Sequence, residues 1–430
     1  MSATGEEMVR FIAEAFPICR SLTGDGVRRT LALIGEQIAL DVHEVPSGTP
    51  VFDWTVPKEW NIRDAWIKDP SGRKVVDFRS CNLHVLNYSV PVHARMPLEK
   101  LKEHLFTLPE KPDLIPYRTS YYKESWGFCL SHHQLQGLPA GEYEVLIDSS
   151  LEDGSLTYGE LFLEGESERE VLLSTHVCHP SLCNGNLSGI AVMAWLARAL
   201  QARPRRRYSY RFLFIPGTIG SITWLAQNEE RAGRIAHGLV AANLGDAGWF
   251  HYKRSRRGEA EIDRAVTAVL RDSGEEFGVE GFVPFGYDER QYNSPGFNLA
   301  VGSLTRTPYG RYPEYHTSAD NLDFVRPEAL EGSLRTYLAV VDVLEGNRRY
   351  LNLNPKCEPQ LGRRGLYRSI GGDDAGRSRE LALLWVLNLS DGEHDLLAIA
   401  ERSGMRFAAI REAADALLEV GLLRELGEEA

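Results

Sequence analysis

Apolar positions open the chain at helical spacing: Phe11, Ile12 and Phe16 recur on one face, and TLALIGEQIAL (30–40) does the same after an SLTGDG turn, so residues 1–45 read as helical. The pattern changes after SGTP (47–50). Short runs rich in β-branched and aromatic residues follow (VFDWTV, VVDFRS, LHVLNYSV, EYEVLIDSS, LTYGELFL), with Pro and Gly between them. From Arg169 to about Asn352, apolar runs alternate with amphipathic periods. VLLST (171–175) precedes LSGIAVMAWLARAL, and YRFLFIPG (210–217) precedes a helix through ITWLAQNEE. GLVAANLG (238–245) leads to IDRAVTAVLRDSG, and FNLAVGSL (297–304) leads to EALEGSLRTYLAVVDVLEG. This alternation predicts a largely parallel sheet covered by helices on both faces, with ligands beyond the carboxyl ends of its strands.

The last stretch differs again. SRELALLWVLNLSDG, EHDLLAIAERSG and MRFAAIREAADALLEVG are three helical periods before the strand-like LLREL, an outline matching a winged helix. Ser390 and Glu393 have the spacing of a capping box for the second period. The expected division is therefore an α/β domain over 1–50 and 165–355, a β-rich insertion over 51–164, and a winged-helix domain over 362–430.

Charge narrows the partners. The net charge of −12 argues against a nucleic-acid binder. From Gln360 onward, 9 Arg face 13 Asp plus Glu, so the terminal domain is expected to serve packing, protein contact or self-association rather than DNA reading. Six scattered cysteines give no disulfide framework. MSATGEEMVR carries acid where a secretory signal has base, and no apolar run approaches a membrane span. The expectation is a cytoplasmic protein without a membrane partner.

Candidate chemistry concentrates in two segments. In VLLSTHVCHPSLCNGNLSGI (171–190), His176 falls just past a strand, followed by Cys178, His179 and Cys183. Imidazole suits zinc, but these four residues lack the separated pairs of a structural zinc domain. Asn184, Gly185, Asn186 and Ser188 read as a helix cap or as an active-site wall. The second segment, 286–323, brings Asp288, Glu289 and Arg290 before a strand and Tyr312, Glu314, Tyr315, His316, Thr317, Asp320 and Asp323 after it. Asp246 in NLGDAG is a further oxygen donor.

On those residues the chain resembles a known family. VLLSTH…NGNLSGIAVMAWLARAL, RFLFIPGTIGS and PEYHTSAD are similar to the metal-binding segments of the zinc aminopeptidases with two co-catalytic metals. CHPSL, NLSG, TIG, DERQY and PEYHTS resemble more closely a group of bacterial aminopeptidase-like proteins, often encoded near polysaccharide or secondary-metabolite genes. The resemblance implies a zinc-aminopeptidase-like mixed sheet flanked by helices, with the β-rich insertion and a C-terminal winged helix. It places His176 and His316 on metal-binding positions. It also places the bridging Asp at Gly185 (the group tends to read NDNLSG), the general-base Glu at Gly217, the adjacent metal-binding Glu at Thr218, and the last carboxylate ligand near Asn243 or Asp246. Cys178 stands where many aminopeptidases hold an Asp.

Two zinc ions about 3.5–4 Å apart need a bridging carboxylate, and the attacking water needs a base; glycine supplies neither. Two functions follow as expectations. One is a hydrolase of a peptide or small amide holding a single zinc ion on His176 and His316 with His179, Asp246 or Asp288. There Glu289 or Glu314 would act as base, and Arg290 or Tyr315 would steady the oxyanion. The other is an inactive or re-purposed descendant that binds a partner or acts in a biosynthetic pathway. A transferase using Cys178 or Cys183 is the remaining alternative.

Overall fold

Eight strands build the principal sheet: β1 (Asp41–Pro46), β2 (Ser155–Leu163), β3 (Glu170–His176), β4 (Ser209–Ile215), β5 (Ile235–Ala241), β6 (Phe250–Lys253), β7 (Phe277–Glu280) and β8 (Val301–Thr305), in the order β1-β2-β4-β3-β5-β8-β6-β7. The computed structural model describes residues 3–367 and 374–427. Strands β4, β3, β5 and β8 run parallel, while β1 and β2 are antiparallel to their neighbours and β6 is antiparallel to β8. Every residue of β3 and β4 is buried, which is why both appear in the sequence as continuous apolar runs without alternation.

Burial on both faces also explains the charged residues inside these strands. Arg211 of β4 donates to Glu170 of β3 through Nε (2.6 Å) and Nη2 (2.9 Å), and it also pairs with Glu160 of β2. Helices α1 (Ala3–Ala15), α2 (Asp25–Gly35), α3 (Ser188–Gln201) and α4 (Ile219–Gln227) cover the sheet's strands or one another. Helix α3 is buried on nearly every side, as its unbroken run of small and apolar residues requires. Residues 41–46, expected as the end of a helical stretch, are the edge strand β1 paired with β2.

The insertion contributes a four-stranded antiparallel sheet in the order Lys74–Asp77, Glu59–Lys68, Glu142–Glu152, Val92–Pro97, packed around Trp60, Phe128, Tyr143, Val145 and Ile147. LHVLNYSV is not a strand. Its backbone bonds singly to Gly127, Arg118 and Ser125, and it forms one 3-10 turn at Asn82–His84. LTYGELFL, although contiguous with the β-rich stretch in sequence, is β2 of the principal sheet.

The chain divides into two compact units, Met1–Gly258 with Gly278–Arg335, and Glu259–Phe277 with Thr336–Ala430. In the second, α5 (Glu261–Ser273) is joined by α6 (Asp374–Leu389), α7 (Leu396–Ser403) and α8 (Phe407–Glu419). A small sheet pairs β9 (Arg349–Asn352) with β10 (Asp391–Asp395) and β11 (Leu423–Glu425). The expected Ser390–Glu393 capping box does not form, because that stretch is extended in β10. Asp395 caps α7 instead, accepting from Ala398 N (2.6 Å). Among the described residues no helix is long and apolar enough to cross a membrane.

Candidate functional site

His176 ends β3, and the chain leaves the sheet through Val177, whose N–H still bonds to Ile215 of β4 (3.0 Å). The loop that follows is pinned from several directions. Asn186 Nδ2 donates to the His176 carbonyl (2.5 Å), Arg20 Nε to the His179 carbonyl (2.8 Å), and Ser181 Oγ to the Phe16 carbonyl (2.8 Å). A single wide helical turn, Cys183–Leu187, then feeds α3. The 184–188 segment is not a side-chain cap for that helix. Asn184 instead donates to Asp246 (2.9 Å) and accepts from Gly245 N (2.8 Å), tying the helix start to the end of β5.

His316 comes from the far side of the crevice in a left-handed conformation (φ 53°), which non-glycine residues adopt only when their surroundings hold them there. The inserted segment supplies that hold: Tyr117 N donates to the His316 carbonyl (2.8 Å), and Pro116 bridges Thr317. Three imidazoles therefore meet at the carboxyl end of the sheet. Ring centroids lie 4.7 Å apart for His176 and His179, and 5.2 Å for His179 and His316. Tyr117 packs on both His179 (4.9 Å) and His316 (5.0 Å), Tyr287 lies 4.1 Å from His176, and Tyr315 stacks on His316 at 3.9 Å.

Burial sets the charge state of this cluster. It depresses His176 to about 3 and His316 to about 4, and lowers His179 as well, so all three are neutral near pH 7. Among the described residues, neither ring nitrogen of His176 has a hydrogen-bonding partner. Burial pushes the Cys178 thiol up to about 11, which favours its protonated form. Among the described residues, the fully buried Arg20 guanidinium reaches only the Ala15 and His179 carbonyls, and its Nη2 has no partner.

The remaining candidate residues separate into two groups. Asp288 accepts from Ser221 Oγ (2.8 Å), its second oxygen has no partner, and burial raises it to about 7. Beside it, the Arg290 Nε is buried without a partner. The others are structurally engaged. Glu289 is fully buried, ion-paired with Lys253, and accepts from Tyr287 N (3.1 Å). Asp246 accepts from Asn184 Nδ2 (2.9 Å), Gly248 N (2.8 Å) and Thr307 Oγ1 (2.6 Å). Glu314 is half-buried, and its carbonyl accepts from Thr317. Tyr117, Tyr287 and Arg20 escape sequence reasoning. Tyr287 adjoins the charged Asp288–Arg290 triplet, but Tyr117 and Arg20 sit in segments with no period or motif.

These residues do not fit a two-zinc centre. The two positions at which the resemblance places carboxylates are glycine, and a side chain at either would meet a neighbour. A Cβ on Gly217 would lie 2.1 Å from Tyr287 Cε1, and one on Gly185 would lie 3.0 Å from Asp320 Oδ2. The Asp320 carboxylate is itself taken up by the backbone N–H groups of Asn184 (2.5 Å) and Gly185 (2.8 Å). Among the described residues, no group of three or more His, Cys, Asp or Glu is arranged to hold a metal ion. Of the residues expected to hold a single zinc ion, His176, His179 and His316 converge, Asp246 is engaged by Asn184, Gly248 and Thr307, and Asp288 by Ser221 through one of its oxygens.

The comparisons place the chain in a family and a fold. A family model described as a domain of unknown function (DUF4910) matches residues 9–347, and a winged helix-turn-helix model matches 348–425. A Clostridium acetobutylicum protein described as a "putative polysaccharide biosynthesis protein with aminopeptidase-like domain" is 56% identical over 98% of this chain and 97% of its own. The crystal structure of a "putative peptidase" from the same organism superimposes with a TM-score of 0.94 at 55% identity, covering 98% of this chain and 97% of that one. The zinc aminopeptidase of Bacillus subtilis shares the fold alone, with a TM-score of 0.57 at 14% identity over 79% of this chain and 94% of its own.

Proposed function

Since the chain belongs to the DUF4910 family, joined to a winged helix-turn-helix domain on an aminopeptidase-like fold, we propose that it is a re-purposed, non-hydrolytic member that binds a polar ligand in a biosynthetic pathway. The observation that carries this reading is the occupancy of the two glycine positions. Tyr287 covers Gly217, and the Asp320 carboxylate lies against Gly185, so a base or bridging carboxylate at either position would have to displace a neighbour. Water activation on paired metals lacks both carboxylate roles.

What remains suits binding. Among the described residues, His176, Arg290, Asp288, Asn186, Asn243 and Tyr309 each present a buried polar atom without a hydrogen-bonding protein partner, and buried polar groups are otherwise almost always satisfied. A hydroxyl-rich ligand, together with ordered water, would satisfy them. The polysaccharide-biosynthesis description of the Clostridium acetobutylicum relative supports a pathway of that kind.

The close approach of three imidazoles favours one second reading, a hydrolase on a single zinc ion. Elemental analysis of the purified chain, combined with assays on chromogenic aminoacyl amides in added zinc, separates the two. The expected result is no stoichiometric metal and no hydrolysis. One tightly held zinc with turnover abolished by His176→Ala would establish the single-ion hydrolase instead.

A further inference from the structure

A second site lies outside the crevice, in the inserted segment. A cavity of about 650 Å3 opens there, lined among others by Phe106, Thr107, Arg118, Ser120, Tyr121 and Lys123. Its volume is that of a small-molecule site. Its charge runs against the rest of the chain: in a protein of net charge −12, two cations and no carboxylate face this space. The acid adjacent in sequence, Glu124, turns instead to Lys58 (3.1 Å), and among the described residues neither Arg118 nor Lys123 is ion-paired.

The wall of this cavity is continuous with the crevice. Tyr121 Oη bonds to Tyr117 Oη (2.9 Å), and the Tyr117 ring packs on His179 and His316. A guanidinium and an ammonium together complement one anionic group, the guanidinium offering two parallel donors. The rings of Phe106 and Tyr121 offer apolar faces, and the hydroxyls of Thr107 and Ser120 offer donors and acceptors beside them. We propose that this cavity binds a negatively charged sugar, its phosphate or carboxylate held by Arg118 and Lys123 and its ring against Phe106 and Tyr121. The sugar half of this assignment rests on the biosynthetic reading above; the anion half stands on the cavity alone.

Calorimetric titration of the full chain tests it with four probes: glucose 1-phosphate, glucuronate, glucose and inorganic phosphate. The expected outcome is saturable binding of at least one charged sugar, with glucose at least about tenfold weaker. Which charged sugar binds identifies the anion as phosphate or carboxylate. The Arg118→Ala/Lys123→Ala double variant, altered only at exposed side chains, should weaken that binding by about tenfold or more, whereas His176→Ala leaves it unchanged. Equal binding of glucose and its charged counterparts, or no binding of either charged sugar at millimolar concentration, overturns the proposal. So does a loss that follows His176→Ala rather than the double variant. Inorganic phosphate binding as tightly as glucose 1-phosphate overturns the sugar half. Hydrolysis of aminoacyl amides would refute the preceding reading without touching this result, since the two experiments share no readout.

Discussion

The ring of Tyr287 stands where a side chain on Gly217 would begin, with Cε1 2.1 Å from the ideal Cβ position. The glycine is therefore required by a neighbour in space rather than by its own backbone, which is not in the left-handed region. Gly217→Ala should destabilise the chain by about 1–3 kcal/mol through overpacking. Adding Tyr287→Ala should recover part of that loss. Urea denaturation of the two single variants and the double variant gives the coupling; strictly additive losses would mean that the ring does not block the position.

Asp320 holds the other glycine. Its two oxygens accept from the N–H groups of Asn184 and Gly185. Asp320→Asn swaps one acceptor for a donor facing an N–H group and should cost about 1–3 kcal/mol, seen as a lower thermal midpoint. An unchanged midpoint would show that the turn holds itself.

Asp288 makes stability fall as pH rises. Burial lifts its folded-state pKa to about 7, from an unfolded value near 3.8. The folded chain thus binds the extra proton between pH 4 and 7, and the stabilisation present below pH 4 is lost on the way to pH 7. The loss has an upper bound of about 4 kcal/mol. Asp288→Asn removes this dependence, so the gap between variant and parent in denaturant midpoint should widen in favour of the variant from pH 4 to pH 7. His176 and His316, depressed to about 3 and 4, act with the opposite sign: their contribution is present above pH 6.5 and is lost as pH falls. Only the comparison with the variant isolates the carboxyl; a constant gap across that range would show that Asp288 does not titrate there.

Arg211 compensates two buried carboxylates, Glu160 and Glu170, inside the sheet. Burial moves Glu170 up to about 7 and Arg211 down to about 10. Arg211→Met removes the guanidinium from both acids, leaving Glu160, among the described residues, with only Trp224 and His43, and should cost about 3–5 kcal/mol near neutral pH. Part of this should return at pH 5, where Glu170 is protonated. A loss independent of pH would assign the effect to packing alone.

The alternation of β3, α3, β4, α4 and β5 was legible because strands buried on both faces and helices with an apolar stripe leave different periods in a sequence. Strand β10 was not, because DGEHD has neither a period nor β-branched residues and becomes extended only by pairing with β9. In the site, His176 and His316 could be placed from local motifs at the ends of strands. The blocking of Gly217 and Gly185 could not, since Tyr287 and Asp320 reach them across long separations in the chain. Tyr117 was illegible for the same reason: its backbone bond to His316 joins two segments that share no motif.

Pro46 at the end of β1 pairs with Ser155 at the start of β2, so the chain departs for the insertion and comes back at facing positions on one edge of the sheet. A short turn would span that gap. The long excursion is thus a detachable module as far as the sheet's own hydrogen bonding is concerned, yet it carries Tyr117, which packs on two histidines of the crevice, and Arg118, which faces the second cavity. Ligand preference in such an architecture is free to drift by exchange of the module while the strands that present the histidines stay as they are.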